Sequence, residues 1–234
     1  MSPVFKKKWM VFSLVATSIF MSTLDSSIVN IALPYIMQDL KTDLQTIQWV
    51  VLIYLIVVSC LLLSFGRLSD IKGRKSVYVI GFAIFAAGSM FCGVAPGHQT
   101  LIIARALQGC GASMLMACSP ALIVDVFPAK ERGKALGMIG AVVAAGLTTG
   151  PAIGGVLLEY LSWRYIFYIN IPIGLAAAFG ALFILKVDYA AKSSDEPMDK
   201  TGSFLLIICL YFSYIYFAIS VSVKLIAFFK YILI

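Results

Sequence analysis

Seven long apolar runs, separated by short charged segments, constrain this chain more than any other feature of its sequence. A helix of about 20 apolar residues crosses the hydrocarbon core of a lipid bilayer. The runs cover residues 9–36, 44–66, 76–94, 99–126, 135–158, 165–185 and 201–223. Hydrophobic residues make up 61% of the 234 residues and charged residues only 12%, which excludes an ordinary soluble domain and a disordered chain. The sequence predicts an all-α integral membrane protein with the bilayer as its main surrounding partner.

Positive charges alternate between the two ends of the predicted spans. Lys and Arg are frequent before the first span and in segments 67–75, 127–134 and 186–200, and they are rare in segments 37–43, 95–98 and 159–164. Because cytoplasmic loops of membrane proteins carry the Lys and Arg excess, we expect a cytoplasmic N-terminus. The same rule explains the net charge of +7, so no nucleic-acid partner is predicted.

One compositional break divides the chain. Segment 187–200 is polar and charged, unlike the apolar runs on either side. We expect a six-helix bundle over residues 1–186, a cytoplasmic linker over 187–200, and a seventh helix with a tail over 201–234.

Two charged residues lie deep inside predicted spans, Asp25 in the first and Arg105 in the fourth. At 1.5 Å per residue, Asp25 lies about 13 Å and Arg105 about 9 Å from the same predicted membrane face. Charged residues within spans are costly and are commonly functional. The two could face one cavity and exchange a proton for a cationic ligand, or they could form an ion pair that only fixes helix packing.

Glycines recur at intervals of four in the fifth span, at Gly146, Gly150 and Gly154, with Pro151 and Gly155 inserted. Such spacing gives a bare stripe that another helix can approach closely. Pro151 is expected to bend the helix, because proline removes a backbone hydrogen bond.

The segment GRLSDIKGRK, residues 66–75, is predicted to be a short loop between the second and third spans. Gly66 and Gly73 would allow close approach and a sharp turn. Asp70 lies among four cationic residues, of which Arg74 and Lys75 end the segment.

No enzyme, cofactor or metal site is predicted. The five cysteines lie inside apolar runs as expected buried thiols, and the only histidine is His98. The sequence has no Ser/His/Asp arrangement, phosphate-binding loop or metal-ligand cluster.

Several of these segments together resemble the N-terminal half of a major facilitator superfamily transporter, from the branch of fourteen-helix drug:proton antiporters. The resemblance covers roughly residues 8–205 and is carried by the segments LDSSIVNIALP (24–34), GRLSDIKGRK (66–75), LIIARALQGCGAS (101–113), GLTTGPAIGG (146–155) and WRYIFYINIPIG (163–174). It implies a bundle of two three-helix repeats with inverted topology, located in a bacterial inner membrane.

The resemblance also implies roles for single residues. Asp25 matches an acidic position associated with proton or substrate binding, and Arg105 matches an arginine implicated in proton coupling. The antiporter motif, which shapes the interface toward the other half of the transporter, corresponds to Gly146, Gly150, Pro151, Gly154 and Gly155.

A cytoplasmic gate that holds the outward-facing state corresponds to Asp70, Arg74 and Lys75 between Gly66 and Gly73, with Asp125 as a partner for Arg74. Ile71 stands where a basic residue is usual, and this weakens a detailed charge relay.

A transporter of this kind works with two bundles, and only seven spans are predicted here. Residues 211–234 contain no glycine, and we expect the resemblance to end near residue 210. This predicts a frameshift or premature stop, with a half-transporter or an edited fragment as alternatives.

We therefore expect proton-coupled export of hydrophobic or cationic drugs, with small molecules and protons as ligands and with the missing C-terminal half, or a partner chain, required. An exporter of one metabolite and a non-transporting membrane fragment remain open. A seven-helix receptor is disfavoured, because receptors of that class place the N-terminus outside and this chain begins with Lys6, Lys7 and Lys8.

Overall fold

The computed structural model describes residues 3–185, and every secondary-structure element in that range is a helix. The helices are α1 (Pro3–Asp39), α2 (Leu44–Lys72), α3 (Arg74–Gly93), α4 (His98–Val126), α5 (Ala129–Tyr160), α6 (Tyr165–Tyr168) and α7 (Asn170–Ile184). Six stretches within residues 3–185 are long and apolar enough to cross a membrane, with α6 and α7 together forming the sixth. This confirms the first six predicted spans, whereas the linker 187–200 and the seventh span lie outside the described residues.

The second span is longer than its apolar run. We expected residues 66–75 to form a loop, but α2 continues to Lys72 and α3 begins at Arg74, so the connection is the single residue Gly73. A helix that extends beyond the hydrocarbon core of the bilayer can continue in water. Lys72 lies in the last turn of α2, where its positive charge interacts favourably with the negative end of the helix dipole. The loop prediction was therefore wrong for residues 66–72 and for residues 74 and 75.

The ends of two other helices have clear causes. At the start of α2, Asp43 accepts a hydrogen bond from the backbone N–H of Thr46 at 3.3 Å, and this bond lowers the pKa of the Asp43 carboxyl. The fifth helix begins at Ala129, earlier than the predicted residue 135, directly after Pro128. Proline at a helix start loses no hydrogen bond, since the first N–H groups of a helix have no partner within it.

Helix packing follows the two-repeat arrangement that the resemblance implied. Among the described helices, α1 packs extensively on α5, and α4 packs extensively on α2. The first helices of the two repeats are α1 and α4, and the second helices are α2 and α5. Each of these contacts therefore joins the first helix of one repeat to the second helix of the other. The third helix of the first repeat, α3, packs on α4 and on α7. The architecture is an all-helical bundle that fits the N-terminal half of a two-bundle transporter.

Small residues bring α3 and α4 close together. A Cβ on Gly88 would lie 2.6 Å from the backbone N and Cα of Gln108, and a Cβ on Gly111 would overlap the backbone N of Phe85. Tight backbone contact of this kind is typical of helices that associate in membranes. It holds the side chain of Gln108 at a fixed depth in the bundle.

Two apolar clusters divide the interior of the bundle. The first joins the beginning of α1, up to Met21, to the later part of α4, from Ala112 onward. The second joins the end of α1, from Ile28, to the beginning of α4, around Leu101. Asp25 and the side chains that bind it lie in the gap between these clusters along both helices.

Candidate functional site

A fully buried ion pair occupies the middle of the bundle. The Nη1 atom of Arg105 on α4 donates to Oδ2 of Asp25 on α1 at 2.6 Å, and both side chains are 0% exposed. Although 80 residues separate them, the structure brings the two charged residues into direct contact. The sequence predicted similar depths in the membrane for the two residues, and the structure shows that their side chains also face each other.

The second carboxylate oxygen of Asp25 binds two side-chain amides. Nε2 of Gln108 and Nδ2 of Asn170 each donate to Oδ1 at 2.9 Å. Gln108 lies on α4, three residues after Arg105, and Asn170 is the first residue of α7. We call Asp25, Arg105, Gln108 and Asn170 the Asp25 centre; it joins three helices through one carboxylate.

The guanidinium of Arg105 has further partners inside the bundle. Its Nε donates to the backbone oxygen of Val50 at 3.1 Å, and its Nη1 also donates to Oε1 of Gln108 at 2.6 Å. Its Cζ lies 4.2 Å from the ring centroid of Tyr54 and 5.8 Å from that of Phe167. Stacking on aromatic faces stabilises a cation that is removed from water.

The Asp25 centre is closed in this conformation. A buried ion pair is tolerated only when its geometry is good and its remaining lone pairs and protons are satisfied. Two polar atoms of the centre, Nη2 of Arg105 and Oδ1 of Asn170, have no hydrogen-bond partner in the described part of the chain. We had left open whether the pair faces a cavity or fixes packing; here it has no exposed surface, so any exchange of protons or ligands at Asp25 requires a second conformation.

A second set of ion pairs lies where α2 meets α3, which we call the basic end of the bundle (residues 66–75 and 125–134). Arg74 donates to Oδ1 of Asp70 at 3.2 Å, to Asp125, and to the backbone oxygen of Ala121 at 3.3 Å. The arginine therefore ties the start of α3 to the end of α4. Gly73 makes this possible, because its φ of 90° is a backbone conformation that residues with side chains rarely adopt.

Two other residues of the 66–75 segment behave differently from expectation. Gly66 lies inside α2, and a Cβ built on it would meet nothing within 4 Å among residues 3–185, so the described bundle makes no close approach at Gly66. Lys75 does not join the Arg74 cluster; its Nζ donates to the backbone oxygen of Leu182 near the end of α7 at 2.6 Å.

The glycine stripe of α5 packs against α1. A Cβ on Gly150 would lie 2.5 Å from Oγ of Ser27, one on Gly154 would lie 2.8 Å from Ile28, and one on Gly146 would overlap Thr23. The resemblance assigned these glycines to the interface with the other half of the transporter, but α1 of the same bundle covers them.

Two members of the glycine motif do face outward. Pro151 and Gly155 are exposed, and a Cβ on Gly155 would meet nothing within 4 Å. Pro151 lies within α5, which continues on both sides of it. These two residues are therefore free to meet another bundle, unlike the three buried glycines.

Four cysteines fall within the described residues. Cys60, Cys92 and Cys118 are buried free thiols and Cys110 is half-buried, whereas Cys209 lies outside that part of the chain. Within residues 3–185 no group of three or more metal-ligating side chains is placed to hold a metal ion.

Sequence reasoning did not single out two members of the Asp25 centre. Gln108 and Asn170 were present in the segments that carried the resemblance, but no role was given to either. A usable signal existed, because a polar amide inside an apolar span is costly unless it finds a partner. Nothing in the spacing of Asn170 indicates a partner on α1, 145 residues away.

Comparison with known proteins agrees with this bundle. A sequence model of the Major Facilitator Superfamily matches residues 15–231. The chain belongs to this superfamily. The match continues past residue 210, where we expected the resemblance to end, so that expectation about the tail was wrong. Membership and the six apolar spans make the protein a multi-pass integral membrane protein of a transporter family.

Several curated relatives within the superfamily are similar to this chain. The riboflavin transporter RibZ of Clostridioides difficile is 47% identical over 195 residues, which are 82% of this chain and 43% of the relative. The multidrug resistance protein Stp of Mycobacterium tuberculosis is 37% identical over 201 residues, 85% of this chain and 37% of the relative. The tetracenomycin C resistance and export protein of Streptomyces glaucescens is 34% identical over 200 residues, 86% of this chain and 37% of the relative. The chain thus spans less than half the length of each.

Proposed function

We propose that this chain supplies the N-terminal bundle of a proton-coupled exporter of drugs or other small hydrophobic or cationic compounds. The observation that carries the proposal is the buried Asp25 carboxylate, held by Arg105 on α4 and Asn170 on α7. A carboxylate is a group that can take up and release a proton, and its position between helices links that event to helix packing. The similarity to multidrug and antibiotic export proteins supports the export of such compounds.

The proposed cycle uses competition at Asp25. In the closed conformation Arg105 neutralises the carboxylate. In a second conformation, Asp25 would be open to a proton or to a cationic substrate, and binding of one would displace the other. Alternating access in this superfamily comes from one bundle rocking against the other, so a second bundle or a partner chain is required.

We infer a gate at the basic end of the bundle. The proposal assigns it Asp70, Arg74, Lys75 and Asp125, with Gly73 as the turn that positions Arg74 and with Gly66 as the beginning of the motif. The contact of Arg74 with Asp125 joins two helices that belong to different repeats, and breaking it would free the end of α4. In this proposal the basic end and the N-terminus are cytoplasmic, and the membrane is a bacterial inner membrane.

The exposed part of the α5 motif, Pro151 and Gly155, is proposed to contact the second bundle. The three buried glycines, Gly146, Gly150 and Gly154, would instead keep α1 close to α5, so that Asp25 moves together with α5. No enzymatic step is proposed for this chain.

A second candidate function is transport of riboflavin or a similar planar metabolite. The observation that favours it is the 47% identity to a riboflavin transporter, which is higher than the identity to the export proteins named above. Riboflavin is uncharged at neutral pH and would not compete with a proton for the Asp25 carboxylate. Riboflavin transport would then depend on Asp25 less than the transport of a cation does.

One experiment separates these candidates. The protein expressed from its native locus, and separately residues 1–234, would be produced in a bacterium that lacks its own drug exporters. Efflux of a lipophilic cationic dye and transport of riboflavin would be measured with and without a proton gradient. The matched variants are Asp25→Asn and Asp43→Asn; the second makes the same change at an exposed helix cap, where asparagine is an equally good residue.

Each outcome has a distinct meaning. Gradient-dependent dye efflux that Asp25→Asn abolishes and Asp43→Asn preserves supports the first candidate. Riboflavin transport without dye efflux supports the second. Full dye efflux in Asp25→Asn contradicts the role of the carboxylate, and the absence of any transport by residues 1–234 supports a fragment that does not transport by itself.

A further inference from the structure

Asn170 occupies an unusual position in the sixth span. The span is interrupted at Ile169, between α6 and α7, and Asn170 is the first residue of α7. Its side chain is fully buried, and its Nδ2 donates to Oδ1 of Asp25 at 2.9 Å. A polar amide thus marks the point where this span changes from one helical segment to the next.

The two amides that bind Asp25 differ in their freedom. Oε1 of Gln108 accepts from Nη1 of Arg105 at 2.6 Å, and its Nε2 donates both to Asp25 and to Oγ of Ser89, the latter at 2.8 Å. Turning the Gln108 amide would break all of these bonds. Asn170 has its one bond to Asp25, and its Oδ1 has no hydrogen-bond partner in the described bundle.

Protonation of Asp25 reverses the direction of one hydrogen bond. An ionised carboxylate only accepts, whereas a neutral carboxyl must donate its O–H to an acceptor. Oδ2 of Asp25 faces the donor Nη1 of Arg105, and Oδ1 faces the two amide NH₂ groups. Because these partners all donate to Asp25, none of them would accept the carboxyl proton without a rearrangement, and an unsatisfied buried donor is costly.

We propose that Asn170 is the positioning residue that follows the protonation state of Asp25 by turning its side-chain amide through half a rotation. In the ionised state the NH₂ group of Asn170 donates to Asp25. In the protonated state its Oδ1 takes that place and accepts the carboxyl proton. Because Oδ1 has no partner at present, the rotation breaks no other bond. This inference rests on the proposed role of Asp25 as a proton carrier and gives α7 a part in it.

Arg105, the charged group in direct contact with Asp25, cannot replace Asn170. The titratable or charged groups that face it are Tyr54 on α2, Cys92 on α3 and Arg105 on α4. Segment 141–158 of α5 and all of α7 contain no titratable residue. Arg105 is a donor in every protonation state, so it cannot accept the proton of a neutral carboxyl.

The test is infrared difference spectroscopy of the purified full chain during a pH titration. The Asp25 band is the carboxyl C=O band that Asp25→Asn removes. The variants are Asn170→Leu, which is close in size and can neither donate nor accept, and Asn170→Ser, a smaller polar residue that would keep the fold if leucine does not. The control is Asn30→Leu, the same change at an exposed residue of α1 whose Nδ2 bonds only to the backbone oxygen of Ser26.

We expect Asn170→Leu to shift the Asp25 band toward the frequency of a free carboxyl. Asn170→Ser should give a smaller change and Asn30→Leu none. Labelled asparagine should show a side-chain amide band that changes together with the Asp25 band.

Two results would overturn the inference. One is an Asp25 band in Asn170→Leu that has the same frequency as in the unchanged protein. The other is an Asp25 that stays ionised throughout the stable pH range, since there would be no proton to follow. The proposed function is tested separately, by the transport measurement. If Asp25→Asn still exports with full proton coupling, the transport proposal fails whatever the spectra of the Asn170 variants are.

Discussion

Arg105 binds Asp25 at 2.6 Å in a place where neither side chain has any exposed surface, and both belong to the same bundle. The charge pair therefore lies within the N-terminal half rather than on the face that would meet the other half. Any movement that exposes Asp25 must separate α1 from α4 or α7. This makes the stability of the bundle and its proposed transport activity depend on the same contacts.

Replacing Asp25 by Asn should destabilise the bundle more than replacing Arg105 by Met. Arg105 cannot lose its proton, so Asp25→Asn leaves a buried cation without a counter-charge, at a cost of about 3–5 kcal/mol. In Arg105→Met the lone carboxyl can become neutral. Thermal unfolding in detergent should place Asp25→Asn lowest, and the double variant should regain part of the loss without regaining transport. A double variant less stable than both single variants would contradict this account.

The buried glycine stripe should tolerate no side chain. Gly150→Ala would place a methyl group 2.5 Å from Oγ of Ser27 and force α1 away from α5, with a cost of about 1–3 kcal/mol. Gly155→Ala, five residues along the same helix, meets open space and should cost little. The measurement is detergent unfolding of the two variants side by side. Equal stabilities would show that α1 does not rest on this stripe in the detergent-solubilised protein.

Gly66 and Gly73 belong to one motif but should respond to alanine in opposite ways. Gly73→Ala forces a side chain into a backbone with φ of 90°, which should cost about 1–3 kcal/mol. Gly66→Ala lies inside a helix with space around it and should stabilise by about 0.5–1 kcal/mol. Unfolding of both variants by sodium dodecyl sulfate would test this, and a destabilised Gly66→Ala would indicate a contact outside the described residues.

Arg74→Gln should affect transport more than stability. The side chains of the Arg74 ion pairs are all partly exposed, 22% for Arg74, 24% for Asp125 and 47% for Asp70, so the loss of these pairs should cost about 1 kcal/mol of stability. If the pair with Asp125 holds a gate, efflux by the protein expressed from its native locus should fall roughly tenfold, equivalent to about 1.4 kcal/mol. Lys72→Gln is the control, because Lys72 is an exposed cation at the end of α2. An equal fall in both variants would assign the effect to lost positive charge rather than to the Arg74 contact.

Sequence was sufficient for the spans and for the two deep charges. Hydropathy reports the thickness of the apolar layer, so it located six spans but not the ends of α2 and α5, which continue beyond that layer. The depth of Asp25 and Arg105 follows from counting residues along a helix. Which helices touch does not follow from one sequence, and for that reason the stripe of Gly146, Gly150 and Gly154 was assigned to the wrong neighbour.

The two side-chain amides that bind Asp25 show the same limit of prediction from sequence. Gln108 lies one helical turn from Arg105, so its proximity to the centre could have been inferred from spacing. Asn170 reaches Asp25 only because α7 begins at the depth of the ion pair, and this depends on how three helices pack. No local pattern records such a relation.

The order of synthesis gives the Asp25 centre one more consequence. Asp25 is made first, and its partners Arg105, Gln108 and Asn170 follow 80, 83 and 145 residues later. At roughly 5–20 residues per second, the ribosome needs about 4–16 s to reach Arg105 and about 7–29 s to reach Asn170. During that interval the first helix carries a carboxyl group with none of its final partners. The ion pair can form only after the fourth helix has been made, so assembly of this bundle has a step that depends on the arrival of that helix.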